Sequence, residues 1–121
     1  MAGEIIGTGI DITEVNRLRK AVEKWGDSFS NRVFTQAELK IAQTKVNKYQ
    51  HLAGRFAAKE AVFKAAGEAV LGFKDIEILN HQDGKPYCRF RNGKAGDISI
   101  NVSISHVKTY AVANAIATKK T

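Results

Sequence analysis

The sequence predicts an α+β fold: an antiparallel sheet packed against helices, with one long central helix. Three observations carry this. Helical signals fill the first half of the chain, and strand alternation fills the second. The connections between the later strands are short and hold Asp, Asn, Gly and Pro.

The segment Ile5-Ile6-Gly7-Thr8-Gly9-Ile10-Asp11-Ile12 has strand character, and the first strand ends near Ile12. A period of two puts Ile6, Thr8, Ile10 and Ile12 on one face, with Ile5, Gly7, Gly9 and Asp11 on the other. Two glycines weaken a strand, so something is expected to approach the backbone closely there, with Asp11 beside open space. Asp11 three residues before Glu14 is also a helix N-cap signature, and the two roles are compatible. A helix follows from about Thr13 to Trp25, burying Val15, Leu18, Val22 and Trp25.

Gly26 to Arg32 reads as a loop. Thr35-Gln36-Ala37-Glu38 forms a capping box, with Phe34 and Leu39 as its hydrophobic staple, so a second helix starts there. The third and longest helix spans about Tyr49 to Ala66 and ends at a Gly67 C-cap. Strands follow at Asp75–Leu79, Tyr87–Arg91, Ile98–Ile104 and Tyr110–Thr118. Asp83-Gly84-Lys85-Pro86 and Asn92-Gly93 supply turn chemistry between them.

The 121 residues form one domain, 1–121, with no repeat, low-complexity tract or linker. With 44% hydrophobic residues, no long apolar run and no signal-like start, the expectation is a cytoplasmic protein, neither membrane-spanning nor secreted. The single cysteine, Cys88, has no internal disulfide partner and reads as a semi-buried structural thiol.

The chemistry concentrates in Arg55-Phe56-Ala57-Ala58-Lys59-Glu60-Ala61-Val62-Phe63-Lys64. On this helix Leu52, Phe56 and Phe63 form an apolar stripe; Glu60 lies about 40° beyond Phe56, and Lys64 about 40° further. A carboxylate at the edge of an aromatic stripe is partly desolvated and needs a cation or strong donor. Glu60 and Lys64 also make an ordinary i,i+4 pair. On the first helix, Arg17, Lys20 and Lys24 form a cationic ridge opposite the buried stripe. Such a ridge is either a solvated face or a dock for an acidic helix. His106 continues the apolar alternation Ile98, Ile100, Val102, Ile104, a position more often held by a satisfied core histidine.

Four motifs occur in order: Gly9-Ile10-Asp11-Ile12; Arg32-Val33-Phe34-Thr35 with Glu38-Leu39; Leu52-Ala53-Gly54-Arg55-Phe56-Ala57-Ala58-Lys59-Glu60-Ala61; and Val102-Ser103-Ile104-Ser105-His106. Over nearly the whole chain this resembles the holo-acyl-carrier-protein synthases, the small stand-alone bacterial phosphopantetheinyl transferases. The resemblance implies the 4'-phosphopantetheinyl transferase fold. It also implies attack of a carrier-protein serine on coenzyme A, which releases adenosine 3',5'-bisphosphate.

Asp11 and Glu60 match the family's metal-binding acids, for Mg²⁺, and count with Lys64 as the catalytic set. Lys64 reaches the phosphates as the bond breaks. The serine proton goes to Glu60 or to a metal-bound water that it polarises. Arg55, Lys64 and His106 match coenzyme-binding positions, and Arg17, with Lys20 and Lys24, matches the surface that docks the acyl carrier protein. The chain departs from the family at Gly67-Glu68-Ala69, where Gly-Thr-Gly is usual, at Phe63 and at Val107.

The net charge of +7 invites a nucleic-acid reading. That reading leaves Asp11 and Glu60 without a role and lacks an aromatic-rich strand motif, so no nucleic-acid partner is expected. A non-catalytic coenzyme A or carrier-protein binding module is the alternative. Finally, the last strand alternates Tyr110, Val112, Asn114 and Ile116 with four alanines, so both faces read as largely buried. A chain this small covers both sides of its sheet with difficulty, which points to a closed symmetric assembly. The resemblance makes it a homotrimer with coenzyme A between neighbouring protomers.

Overall fold

A computed structural model describes residues 3–67, 72–91 and 96–120. Its elements are β1 (Glu4–Glu14), α1 (Val15–Trp25), α2 (Asp27–Val33), α3 (Gln36–Gln43), α4 (Lys48–Ala66), β2 (Ile76–Asn80), β3 (Pro86–Phe90), β4 (Ile98–His106) and β5 (Tyr110–Lys119). The α+β expectation holds, with two antiparallel sheets rather than one. β5 sits between β1 and β4, while β2 and β3 pair separately. The Glu68-Ala69 departure and the Asn92-Gly93 turn lie outside the described residues.

α4 is the centre of the molecule and is buried on most of its circumference. It lies on the three-stranded sheet because both surfaces are small. Ala57, Ala58, Ala61 and Ala65 of the helix meet Ala113, Ala115 and Ala117 of β5 in one core cluster. Gly7 and Gly9 bring β1 even closer. A methyl group at either would stand 2.0 Å from a helix carbonyl oxygen, that of Ala65 or Ala61. The close approach expected from the two glycines is therefore the helix backbone itself. Gly67 ends α4 at φ 61°, the left-handed region that glycine enters without strain.

The capping box is present: the Glu38 N–H donates to Thr35 Oγ1 and the Thr35 N–H to Glu38 Oε1. Phe34 and Leu39 pack into the same second cluster, beneath α1, α2 and α3.

Several boundaries differ from expectation. β1 continues through Glu14, so α1 starts at Val15; Glu14 makes no side-chain cap, and Asp11 lies within the strand opposite Ala113. The N-cap reading of Asp11 is thereby overturned. The segment read as a loop forms α2, a seven-residue helix whose Val33 and Ser30 are buried. Trp25 is 57% exposed and lies under the Lys24 ammonium, 4.9 Å from the ring centroid, because α1 outruns the core at its last turn.

The alanine face of β5 is sealed, whereas its other face is open. There Val112 pairs with Ile12, Asn114 with Ile10 and Ile116 with Thr8. Ile10 and Ile12 are each 65% exposed, and Tyr110 is exposed beside them. In the isolated chain the last strand is therefore buried on one face only.

Candidate active site

Register on the inner face of the sheet fixes where the candidate side chains fall. Asp11 of β1, Ala113 of β5 and Ile104 of β4 form one row; Thr13, Ala111 and His106 form the next. Asp11 and His106 thus share a face but sit on strands separated by β5, roughly 10 Å apart across two strand spacings. α4 runs over β5 between them. Glu60 and Arg55, five residues apart on that helix, are rotated by about 140°. The helix divides the candidate residues into two groups.

On one side, Asp11, Glu60 and Arg17 line a pocket of about 440 Å³ with Phe29, Phe56 and Tyr110. Asp11 Oδ2 accepts the Thr13 hydroxyl at 3.0 Å. Its Oδ1 lies 3.7 Å from Lys64 Nζ, which also donates to the Ile10 carbonyl at 2.8 Å. Lys64 therefore turns to β1; among the described residues no ion pair joins it to Glu60, against the simple i,i+4 reading. Burial raises the Glu60 pKa, and the Asp11 carboxylate beside it raises it further, with Lys64 partly offsetting both. Two half-buried carboxylates thus face one nearby ammonium, that of Lys64, with Arg17 and Glu14 further along the pocket lining. No group of three or more metal-ligating side chains occurs among the described residues. Two carboxylates are what Mg²⁺ commonly takes from a protein when phosphate oxygens and waters complete its shell.

On the other side, Arg55 and His106 line a pocket of about 510 Å³. Arg55 is 5% exposed and donates to Asn80 Oδ1. His106, the last residue of β4, is exposed and not a core histidine. Lys45, His51 and His81 share this pocket and were missed. His51 stands one helical turn before Arg55, a signal that was available in the spacing. Arg17, Lys20 and Lys24 are all exposed on α1, and of these Arg17 reaches the acidic pocket. Cys88 is half-buried, and burial pushes its pKa up to about 12, as suits an inert thiol.

Among the described residues, no helix is long and apolar enough to cross a membrane.

Residues 7–115 match the model of the 4'-phosphopantetheinyl transferase superfamily. A holo-[acyl-carrier-protein] synthase of Ruminiclostridium cellulolyticum is 46% identical over 119 residues, covering 89% of this chain and 88% of the relative. One from Halothermothrix orenii is 44% identical over 117 residues, covering 90% and 94%. The crystal structure of a Bacillus anthracis holo-(acyl-carrier-protein) synthase, in complex with CoA (3',5'-ADP), superposes with a TM-score of 0.82 at 36% identity. That superposition covers 96% of this chain and 98% of the other. By sequence over nearly its whole length and by fold, this chain belongs to the 4'-phosphopantetheinyl transferase superfamily.

Proposed function

We propose that this chain transfers the 4'-phosphopantetheine group of coenzyme A to a serine hydroxyl of an apo acyl carrier protein. The products are the holo carrier and adenosine 3',5'-bisphosphate. The observation that carries this reading is the meeting of Asp11 from β1 with Glu60 and Lys64 from α4, beside a pocket that Arg17 lines.

Asp11 and Glu60 hold a divalent cation, Mg²⁺, which when bound neutralises pyrophosphate charge. Lys64 lies close enough to Asp11 to swing onto a phosphate oxygen once the substrate arrives, offsetting charge at the breaking P–O bond. A bond forms between the serine oxygen and phosphorus while the bond to the bridging pyrophosphate oxygen breaks. Glu60, its pKa raised by burial, takes the serine proton. Arg17, with Lys20 and Lys24, receives the acidic carrier. Arg55 and His106 bind the phosphate at the other end of the coenzyme.

The chain acts as a single domain, 1–121, in the cytoplasm, as a homotrimer. Two features support the assembly. The open face of β1 and β5 carries Ile10, Ile12, Val112 and Ile116, and α4 separates the acidic group from the basic one. A coenzyme held by both groups then spans the boundary between two protomers.

Incubation with coenzyme A, Mg²⁺ and an apo carrier protein, followed by intact-mass measurement, tests the reading. The carrier gains one phosphopantetheine. Coenzyme binding without any gain in mass would leave a non-catalytic binding module instead.

A further inference from the structure

Two residues that line the basic pocket each carry a buried nitrogen with no hydrogen-bond partner among the described residues, Arg55 Nε and His51 Nε2. Buried polar atoms are nearly always satisfied, so two orphans on the lining residues of one pocket point to a ligand that supplies acceptors. The lining agrees. Lys45 comes from the segment before α4, His51 and Arg55 from α4, His81 from the β2–β3 connection and His106 from β4; among the described residues no acidic side chain joins them.

His51, Gly54 and Arg55 fall at i, i+3 and i+4, on one face of the helix. That face is held against the end of β4: a Cβ at Gly54 would stand 2.9 Å from Ile104 Cγ2 and 3.9 Å from His106 Cδ2. His51 is thus fixed at the wall where the phosphate-binding pair Arg55 and His106 converge.

We propose that His51 is a binding residue for the phosphate end of coenzyme A and takes up a proton as that anion enters. This rests on the proposed reading of the pocket as a coenzyme site. In the free protein His51 stays neutral. Burial pulls its pKa down to about 4, and the charges of Arg55, Lys45 and His106 add to the effect. An incoming phosphate reverses the sign of the local field. The imidazole then gains a proton, both ring nitrogens become donors, and the orphaned Nε2 finds an acceptor. The bound pKa exceeds the free one, so affinity is greatest on the acid side and declines as pH rises towards the bound value.

Titration calorimetry with coenzyme A near pH 6, in two buffers of different ionisation enthalpy, counts the protons. Wild type is expected to take up about 0.5–1 proton more than His51→Gln. Its affinity falls more steeply with pH than the variant's, by up to about tenfold per pH unit. Equal proton counts and parallel pH profiles, with coenzyme A bound by both proteins, would overturn the inference and leave the proposed function standing. Failure of wild type to bind coenzyme A would overturn the proposed function, and this inference with it. The His51 imidazole resonance of the wild-type protein gives a check that needs no variant. It should titrate near 4 in the free protein and move to higher pH with coenzyme A bound; an unmoved titration counts against the role.

Discussion

Lys59 Nζ lies 2.7 Å from Glu38 Oε1, and both side chains are sealed from solvent. The same ammonium donates to the carbonyls of Val33, Phe73 and Ile76 at 2.9, 2.8 and 3.1 Å. Glu38 in turn accepts the N–H groups of Thr35 and Ile78. One buried pair therefore ties α4, next to Glu60, to the end of α2, the start of α3 and strand β2.

Removing one partner leaves the other buried without its counter-charge. Lys59→Met or Glu38→Gln alone should cost roughly 3–5 kcal/mol of stability, read from urea unfolding. The double variant should lose less than the sum of the two, because neither charge is then stranded. Additive losses would mean that the two side chains stabilise the fold independently.

Glu60 sets function against stability. Its pKa in the folded protein is raised above the unfolded value by burial and by Asp11. The folded state therefore binds the proton more tightly, and stability falls as pH rises between the unfolded and folded values. Above that window Glu60→Gln relieves the penalty. The metal-free variant should melt on the order of 1–3 °C above wild type at pH 7.5. Transfer should drop by about 100-fold or more. Mg²⁺ should raise the melting temperature of wild type and not of the variant. A variant with a normal transfer rate and a normal response to Mg²⁺ removes Glu60 from the site.

The α1 ridge distinguishes the two substrates. Arg17→Glu should slow modification of the carrier protein by about tenfold or more while leaving coenzyme A affinity near wild type. The wild-type rate should also fall with added salt, as exposed charges are screened beyond about 8–10 Å. Unchanged carrier kinetics in Arg17→Glu would reduce the ridge to a solvated face.

The parts of the fold visible in the sequence are those governed by local rules. Thr35 and Glu38 satisfy each other within one turn, so the start of α3 could be placed. Gly67 likewise marks the end of α4, and period-two alternation located β4 and β5. α2 was invisible because seven residues after Gly26 carry neither a side-chain cap nor a full amphipathic period. The ion pair of Lys59 with Glu38 joins residues on different helices, which no spacing rule reaches. Ile10 and Ile12 show the same limit from the other side: alternation reveals an apolar face but not whether this chain covers it. Asp11, Glu60, Lys64, Arg55 and His106 could be named as candidates from motif order and spacing. Their division by α4, and the addition of His51 to the basic group, required the register of three strands and the rotation of one helix.

That division has a genetic consequence. If each coenzyme is gripped by Glu60 of one subunit and Arg55 of a neighbour, two inactive proteins can repair one another. Glu60→Ala and Arg55→Ala, unfolded and refolded together in equal amounts, would assemble mixed rings. About one quarter of the clefts in random closed rings would then unite an intact acidic side with an intact basic side. Activity should return to roughly that fraction, while either variant refolded alone stays silent. A mixture as inactive as its components would place both grips within one chain.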